Sequence, residues 1–387
     1  MSTIKVTNIE HGSTTDGGIQ LDSSGHVTVD GQQMPTAGQL SNRNLIINGA
    51  MNIAQRSTSS VTVSNSSNEG YSTVDRWHLN FNDSIGGAVS FTQDSDSPAG
   101  FANSAKITCS TTNTSLSNNQ YVALNQRIEA QNLQMLSYGS SDAVSMTLSW
   151  YMKTTTYTGP ISVVLFTDDG TAEYFAVSVT PTTSWARYSV TIPGSTTATI
   201  NDDNGRGMYV QFVLAGNTSS SIASSSDSTA WSTTRADFRD DVGNILSSTS
   251  NVFFLTGVQL EVGEKETPFE HRSSGDELAR CQRYYEKIEP ASRTQGKVHN
   301  SGNTQCHFSL DYRVTKRATP SVISSRSSVS QIYDGTNSAN NGFSYDSDGI
   351  SADSVTFRVI LSSSLGSGDI YRNLSGYDIR CDVDAEL

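Results

Sequence analysis

Apolar residues recur at every second position along much of this chain, and the polar residues between them are small. Trp77, Leu79 and Phe81 alternate in this way, as do Ala105, Ile107 and Cys109, then Met146, Leu148 and Trp150. The same spacing returns in Val163 and Leu165, in Tyr188, Val190 and Ile192, and in Val210, Phe212 and Leu214. A period of two belongs to a pleated strand with one buried face, so each segment predicts a half-buried β-strand. Asp168-Asp169-Gly170 separates the runs 161–167 and 171–180 and reads as a hairpin turn. Residues 41–272 carry these strands with no amphipathic helix between them. The pattern predicts a mainly β fold, a two-sheet antiparallel jelly-roll or β-sandwich body.

The flanking segments read differently. Residues 1–40 hold short alternating strands, with Ile4, Val6 and Ile9 first, then Ile19 and Leu21, then Val27 and Val29, broken at Gly17-Gly18 and Ser24-Gly25. Strands this short bury little alone, which makes the segment an attachment element completed by another surface. Residues 216–234, dense in Ser and Thr around Trp231, read as a long surface loop. Ser274 with Glu277 forms a capping box, and Leu278, Cys281, Tyr284 or Tyr285, and Ile288 recur at helical spacing before Pro290. That predicts a helical connector over 273–290 with one narrow apolar stripe. Residues 291–387 return to strands, with turns at Asp334-Gly335 and Asp348-Gly349, as a smaller C-terminal β-domain.

Composition sharpens this picture. The chain has 387 residues, of which 35% are hydrophobic and 16% charged, against about 45–50% and about 25% in ordinary globular domains. Ser, Thr, Asn and Gly fill the difference, and the expectation is a thin core in each copy, completed at interfaces with other copies. The formal charge of −13 is spread along the chain, which argues against nucleic-acid binding. No run approaches the roughly 18–20 apolar residues of a membrane span, and no basic-then-apolar leader opens the sequence, so the expected site of folding is a cytoplasm. Cys109, Cys281, Cys306 and Cys381 lie far apart, without metal-site spacing, and read as free buried thiols.

Three segments carry a family resemblance. Asn44-Leu45-Ile46-Ile47-Asn48-Gly49-Ala50-Met51-Asn52-Ile53-Ala54-Gln55-Arg56, the later Val74-Asp75-Arg76-Trp77, and Phe254-Leu255-Thr256-Gly257-Val258-Gln259-Leu260-Glu261-Val262-Gly263 through Thr267-Pro268-Phe269-Glu270-His271-Arg272 resemble tail fibre proteins of bacteriophages. The resemblance continues through 276–285 and Arg317-Ala318-Thr319-Pro320, and the opening Ser2-Thr3-Ile4-Lys5-Val6 is similar to the virion-proximal start of such fibres, short-tailed cyanophages included. It implies a homotrimer in the tail of a virion, anchored through its N-terminus to a tail adaptor or nozzle protein. Its distal domain would contact a host-surface glycan, lipopolysaccharide or outer-membrane protein. The helix stripe of Leu278, Cys281, Tyr285 and Ile288 would then pack around the trimer axis.

Candidate chemistry is sparse. Asp168-Asp169, Asp202-Asp203 and Asp240-Asp241 are adjacent acids beside Gly or Asn, where turn formation explains them better than glycoside hydrolysis. Asp202, Asp203 and Asn204 have the oxygen chemistry of a calcium site but no defining spacing. The histidines lack metal-ligand spacing, and no cofactor motif is present. The reading is therefore a non-enzymatic adhesin; a depolymerising tailspike or a purely structural adaptor or decoration protein are the rivals. Aromatic rings on polar loops are the candidate receptor contacts: Trp231 in the body and Tyr333, Phe343, Tyr345, Tyr371 and Tyr377 in the C-terminal domain.

Overall fold

The computed structural model describes residues 41–64, 68–82, 85–288, 305–324, 343–360 and 381–387, together with Gly18 and short strands at 8–9, 19–21, 27–29, 32–33, 295–298, 330–333, 338–341 and 370–373. The chain divides into two compact units, Met1–Arg272 and Ser273–Leu387.

The first unit contains the sandwich, a jelly-roll-like pair of six-stranded antiparallel sheets. One sheet runs, in spatial order, Tyr174–Val179, Ile161–Thr167, Arg206–Gly216, Tyr121–Glu129, His78–Asn82 and Gly70–Tyr71. The other runs Ala186–Ile192, Met146–Thr154, Val252–Val262, Ser104–Thr111, Ala88–Asp94 and Val61–Val63. The period of two delivers the expected core. Trp77 and Trp150 are fully buried, and both rings meet Phe212, at 6.3 and 5.5 Å between centroids. The Trp150–Phe212 contact joins one sheet to the other. The core is not thin: Leu79, Phe81, Ile107, Leu148, Val163, Val210 and Leu260 are all at 0% exposure within one chain. Full burial of such a side chain stabilises by about 1.5–3 kcal/mol. The sandwich therefore closes its own interior without a second copy, and the small polar residues that lower the average lie on the outer faces and in the loops.

A strap, residues 44–53, ties the two sheets together, and it coincides with the first resemblance segment. Leu45 N donates to Leu260 O at 2.8 Å, and the Asn44 side chain donates to Val258 O while accepting from Ile46 N and Leu260 N. These bonds hold the second sheet. Toward the first sheet, Gln126 exchanges two 2.8 Å bonds with the backbone of Ile47, and Trp77 Nε1 donates to Asn48 O at 3.2 Å. The Asn48 amide donates to Ile53 O and Asp75 O and accepts from Ile53 N. Gly49 must be glycine because a Cβ there would sit 2.1 Å from Val258 O. Arg272 closes the strap from outside by donating to Ile46 O and Asn44 O.

The N-terminal strands Asn8–Ile9, Ile19–Leu21, Val27–Val29 and Gln32–Gln33 form a four-stranded antiparallel meander. Its register places Ile9 opposite Ile19, Ile19 opposite Val29 and Leu21 opposite Val27. Ile9 and Ile19 are 59% and 44% exposed. Ile4 and Val6 lie outside the described residues.

In the second unit the helix is shorter than its spacing predicts. It spans Ser274–Gln282, and its N-cap is Ser273, whose side chain accepts from Asp276 N, rather than Ser274 with Glu277. Tyr285 and Ile288 belong instead to a strand, Tyr285–Ile288, paired with Cys381–Asp384. A helix this short gains few internal hydrogen bonds, whereas Tyr and Ile favour the pleated surface that the C-terminal strand offers. Cys281, Tyr285 and Ile288 are buried and Leu278 is half-buried. The apolar residues expected to form one helical stripe over 273–290 are thus split between a helix that ends at Gln282 and the strand Tyr285–Ile288. Ser321–Ser324 completes that three-stranded sheet, and seven further strands form a second one. Asp348-Gly349 lies inside the strand Phe343–Ile350 rather than in a turn, at an irregularity in its pairing with Ser354–Ile360. Cys109, Cys281 and Cys381 are free and buried.

Lys316 and Glu286 form an ion pair of 2.8 Å in this unit, with side chains 0% and 1% exposed. Removing one partner of such a pair strands the other charge. Glu286→Ala is expected to lose about 3 kcal/mol in urea unfolding, and Glu286→Leu with Lys316→Met to lose less; equal stability of the single variant and the parent would contradict this. In the sandwich, Gly49→Ala is expected to cost about 3 kcal/mol by the same measurement, because the strap must move off Val258.

Candidate functional site

The alternation that fills the core also fixes what the first sheet turns outward. One cross-strand row on that outer face is Tyr71, His78, Asn125 and Gln211, neighbours by register. A second is Arg127, Tyr209, Phe166 and Tyr174. Segment 217–244 covers one end of the face: Ile222, Ala236, Phe238 and Val242 pack on Tyr121, Ala123, Val164, Ala176 and Val213. The two rows lie beside this covered patch.

Trp231 helps to hold that segment, the packing outcome of the two, contact or packing, that its loop leaves open in sequence. It is half-buried, its Nε1 donates to Pro193 O at 2.6 Å, and its ring meets Tyr138 and Phe175 at 5.7 and 6.1 Å. Polar neighbours in sequence had hidden apolar partners from distant strands. Arg239 pins the same segment through Asp227 and Ser224 O.

Aromatic and guanidinium groups alternate across the face. Phe166 stacks on Tyr209 at 4.1 Å and on Tyr174 at 5.5 Å. Arg206 and Arg127 lie over the Tyr209 ring at 4.4 and 5.4 Å, and Arg56 and Arg76 over the Tyr71 ring at 5.4 and 5.9 Å. Tyr71 meets His78 edge-on at 5.0 Å. Arg76 sits in the left-handed region at φ 71°, a conformation costly for a bulky side chain, and donates to Arg127 O at 2.6 Å. Phe166, Tyr174 and Tyr71 are half-buried, and Arg235 stands at the rim, 60% exposed and paired with Asp237 at 2.6 Å.

Between the arginines lie polar atoms without protein partners. His78 is 7% exposed and Asn125 1%, yet His78 Nδ1 and Asn125 Oδ1 have no hydrogen-bond partner, and neither does Asn80 Oδ1 on the same strand. A buried group left unsatisfied costs about 1–3 kcal/mol. Burial, and then the charges of Arg127 and Arg56, lower the His78 pKa to about 3, so the ring stays neutral and one nitrogen can accept a hydrogen bond. Burial pushes Glu69 up while Phe81 N and Arg127 pull it down. The face thus offers acceptors at its centre and cationic donors around them, the complement of a ligand rich in hydroxyls.

None of these residues stands out from sequence as a site, although a signal exists. His78-Leu79-Asn80-Phe81 and Met208-Tyr209-Val210-Gln211-Phe212 set large polar or aromatic residues at the outward positions of the two strands that flank Tyr121–Glu129. The acidic pairs serve turns and ion pairs. Asp168 pairs with Arg206, Asp169 accepts from Asn201 N at 3.0 Å, Asp203 accepts from Gly205 N at 2.8 Å, and Asp240 and Asp241 flank Arg239. Among the described residues no three His, Cys, Asp or Glu side chains converge as metal ligands. Tyr333, Phe343, Tyr345 and Tyr371 lie on strands, not on the loops expected for them. Tyr377 lies outside the described residues. No described helix is long and apolar enough to cross a membrane.

No family model matches the sequence, and no curated protein does. Among solved structures, the enzymatically active domain of tailspike protein 4 from bacteriophage CBA120 is 12% identical with a TM-score of 0.29, over 57% of this chain and 21% of that one. The family 11 carbohydrate-binding module of a Clostridium thermocellum cellulase is 12% identical with a TM-score of 0.28, over 54% of this chain and 98% of the module. A xylan-binding domain from Paenibacillus barcinonensis is 8% identical with a TM-score of 0.25, over 53% of this chain and 95% of that domain. Scores this low carry no argument about ligand or activity.

The low pKa of His78 has a measurable consequence. The unfolded chain takes up the proton first, so stability is complete above the ordinary His pKa of 6.5 and falls as pH drops from there toward 3. At pH 5 the loss from this residue is about 2 kcal/mol. His78→Gln is expected to shrink the stability difference between pH 7.5 and pH 5 by about that amount in urea unfolding. An unchanged difference would contradict the assignment.

Proposed function

We propose that this chain is a tail-fibre adhesin of a bacteriophage that recognises a host-surface glycan with the outer face of its first sheet. In this reading it is a homotrimer, held to a tail adaptor by residues 1–40, and it binds without cleaving. The observation that carries it is the buried row at the centre of the face, where His78 Nδ1 and Asn125 Oδ1 lack partners. Sugar hydroxyls are donors of the right kind for such acceptors, and a rigid sheet holds the acceptors in place without ordering cost. The sequence resemblance to tail fibres supplies the virion setting. Three copies on one fibre would turn modest single-site affinity into firm attachment by raising local concentration.

Receptor contacts are therefore proposed on the sandwich and not at the aromatic residues of the second unit. The test is equilibrium binding of the full chain to a panel of bacterial surface polysaccharides. Asn125→Ala is expected to weaken single-site binding about tenfold, equivalent to about 1.4 kcal/mol, with the fold retained by circular dichroism. Trp185→Ala, near the second sheet, is expected to leave binding unchanged. Release of oligosaccharide during incubation would instead identify an enzyme, and binding to no polysaccharide would favour a structural virion component.

A further inference from the structure

We infer that the first unit holds a second binding site, a cavity at one end of the sandwich that takes a single uncharged sugar unit. The inference does not rest on the outer face, because the cavity shares no residue with its two rows. The volume is about 420 Å³, within the roughly 300–1,000 Å³ of small-molecule sites. Residues 114–116, 217–219 and 242–244 wall the cavity, and they meet where Gly216 pairs with Tyr121 at the end of the first sheet. Asn125 lies further along the same strand, about 13 Å from Tyr121.

The walls are locked before any ligand arrives. Asn217 Nδ2 donates to Leu116 O, Asn244 Nδ2 donates to Asn113 O at 2.8 Å, and Asn113 N donates to Leu246 O at 3.0 Å. Gly243 N donates to Pro160 O at 2.8 Å. A Cβ on Gly243 would sit 2.1 Å from Tyr157 Oη, so this loop rests directly on that side chain. Val242 is buried and packs in one cluster with Phe238 and Tyr121. A cavity held in this way keeps its shape instead of closing on itself, and the ordering cost of binding is low.

The lining sets the chemistry of the ligand. No described lining residue is charged or aromatic. Thr114, Ser115, Thr218 and Ser219 are exposed, and their hydroxyls bond to no described residue. Asn217 and Asn244 each use one N–H on the wall and accept from Ser219 N and Leu246 N, which leaves each amide a second N–H. Hydroxyls and amides both donate and accept, so the groups they match best are hydroxyls of the ligand. An anion finds no cation here, and a hard metal ion finds no carboxylate. Half-buried Leu116 offers an apolar contact to the C–H face of a sugar ring.

Saturation-transfer NMR of the full chain with the methyl glycosides of glucose, galactose and mannose tests this site. At least one glycoside is expected to bind at millimolar concentration, and to bind Asn125→Ala equally, which separates the cavity from the outer face. Thr114→Val with Thr218→Val removes hydroxyls at nearly constant volume and is expected to weaken binding about fivefold. Ser115→Tyr, which fills the cavity from an exposed position, is expected to abolish binding with the fold retained by circular dichroism. The uronic-acid counterpart of the bound glycoside is expected to bind several-fold more weakly. Binding of no glycoside, or binding that the cavity variants leave unchanged, would overturn the site and leave the outer-face reading standing. Equal binding of the uronic-acid counterpart would overturn the uncharged class of ligand.

Discussion

The structure depends on one strap of polar backbone that must be satisfied from two sides at once. Residues 44–53 lie where the two sheets would otherwise part, and the side chains Asn44, Asn48, Trp77 and Gln126 that anchor them are buried with hydrogen bonds aimed at main-chain atoms. Loss of any one of these leaves a buried backbone group without a partner, which costs more than the bond itself contributes. The close approach of Gly49 to Val258 is what lets the strap sit low enough to reach both sheets. The motifs at 44–56, 74–77 and 254–272 fall largely on this strap and its partners, where they close the sandwich.

The same strap sets the geometry of the face. Asp75 is gripped by Gln55 and by the Asn48 amide, which fixes the turn that holds Arg76 at positive φ and feeds directly into the strand of His78 and Asn80. Arg76 then reaches across to Arg127 O, linking that turn to the neighbouring strand. Rigidity of this kind permits unsatisfied acceptors to remain in the folded state. A looser sheet would relax until His78 and Asn125 found partners of their own. On the proposed function, a donor-rich ligand would supply the partners that these acceptors lack.

Much of the sandwich was legible in sequence because its strands have one apolar and one polar face, and Trp77, Trp150 and Phe212 could be placed inside from spacing alone. The helix of the second unit was only half legible: Tyr285 and Ile288 fit helical and strand periods alike over so short a run, and the partner strand at Cys381–Asp384 that decided between them is almost a hundred residues away. Trp231 stayed open between contact and packing for a similar reason, since Tyr138, Phe175 and Pro193 come to it from three separate segments. The face was missed because its residues are common strand residues one by one. Only cross-strand register makes neighbours of Tyr71, His78, Asn125 and Gln211, and register is not written in any single segment.

Hydrogen exchange of the full chain, with and without a bound bacterial surface polysaccharide, addresses the central claim most directly. The account predicts slowed exchange in 70–82, 121–129, 161–167, 174–179 and 206–216, the segments that carry the two rows. Slowed exchange confined to the second unit, or to the second sheet of the sandwich, would contradict it.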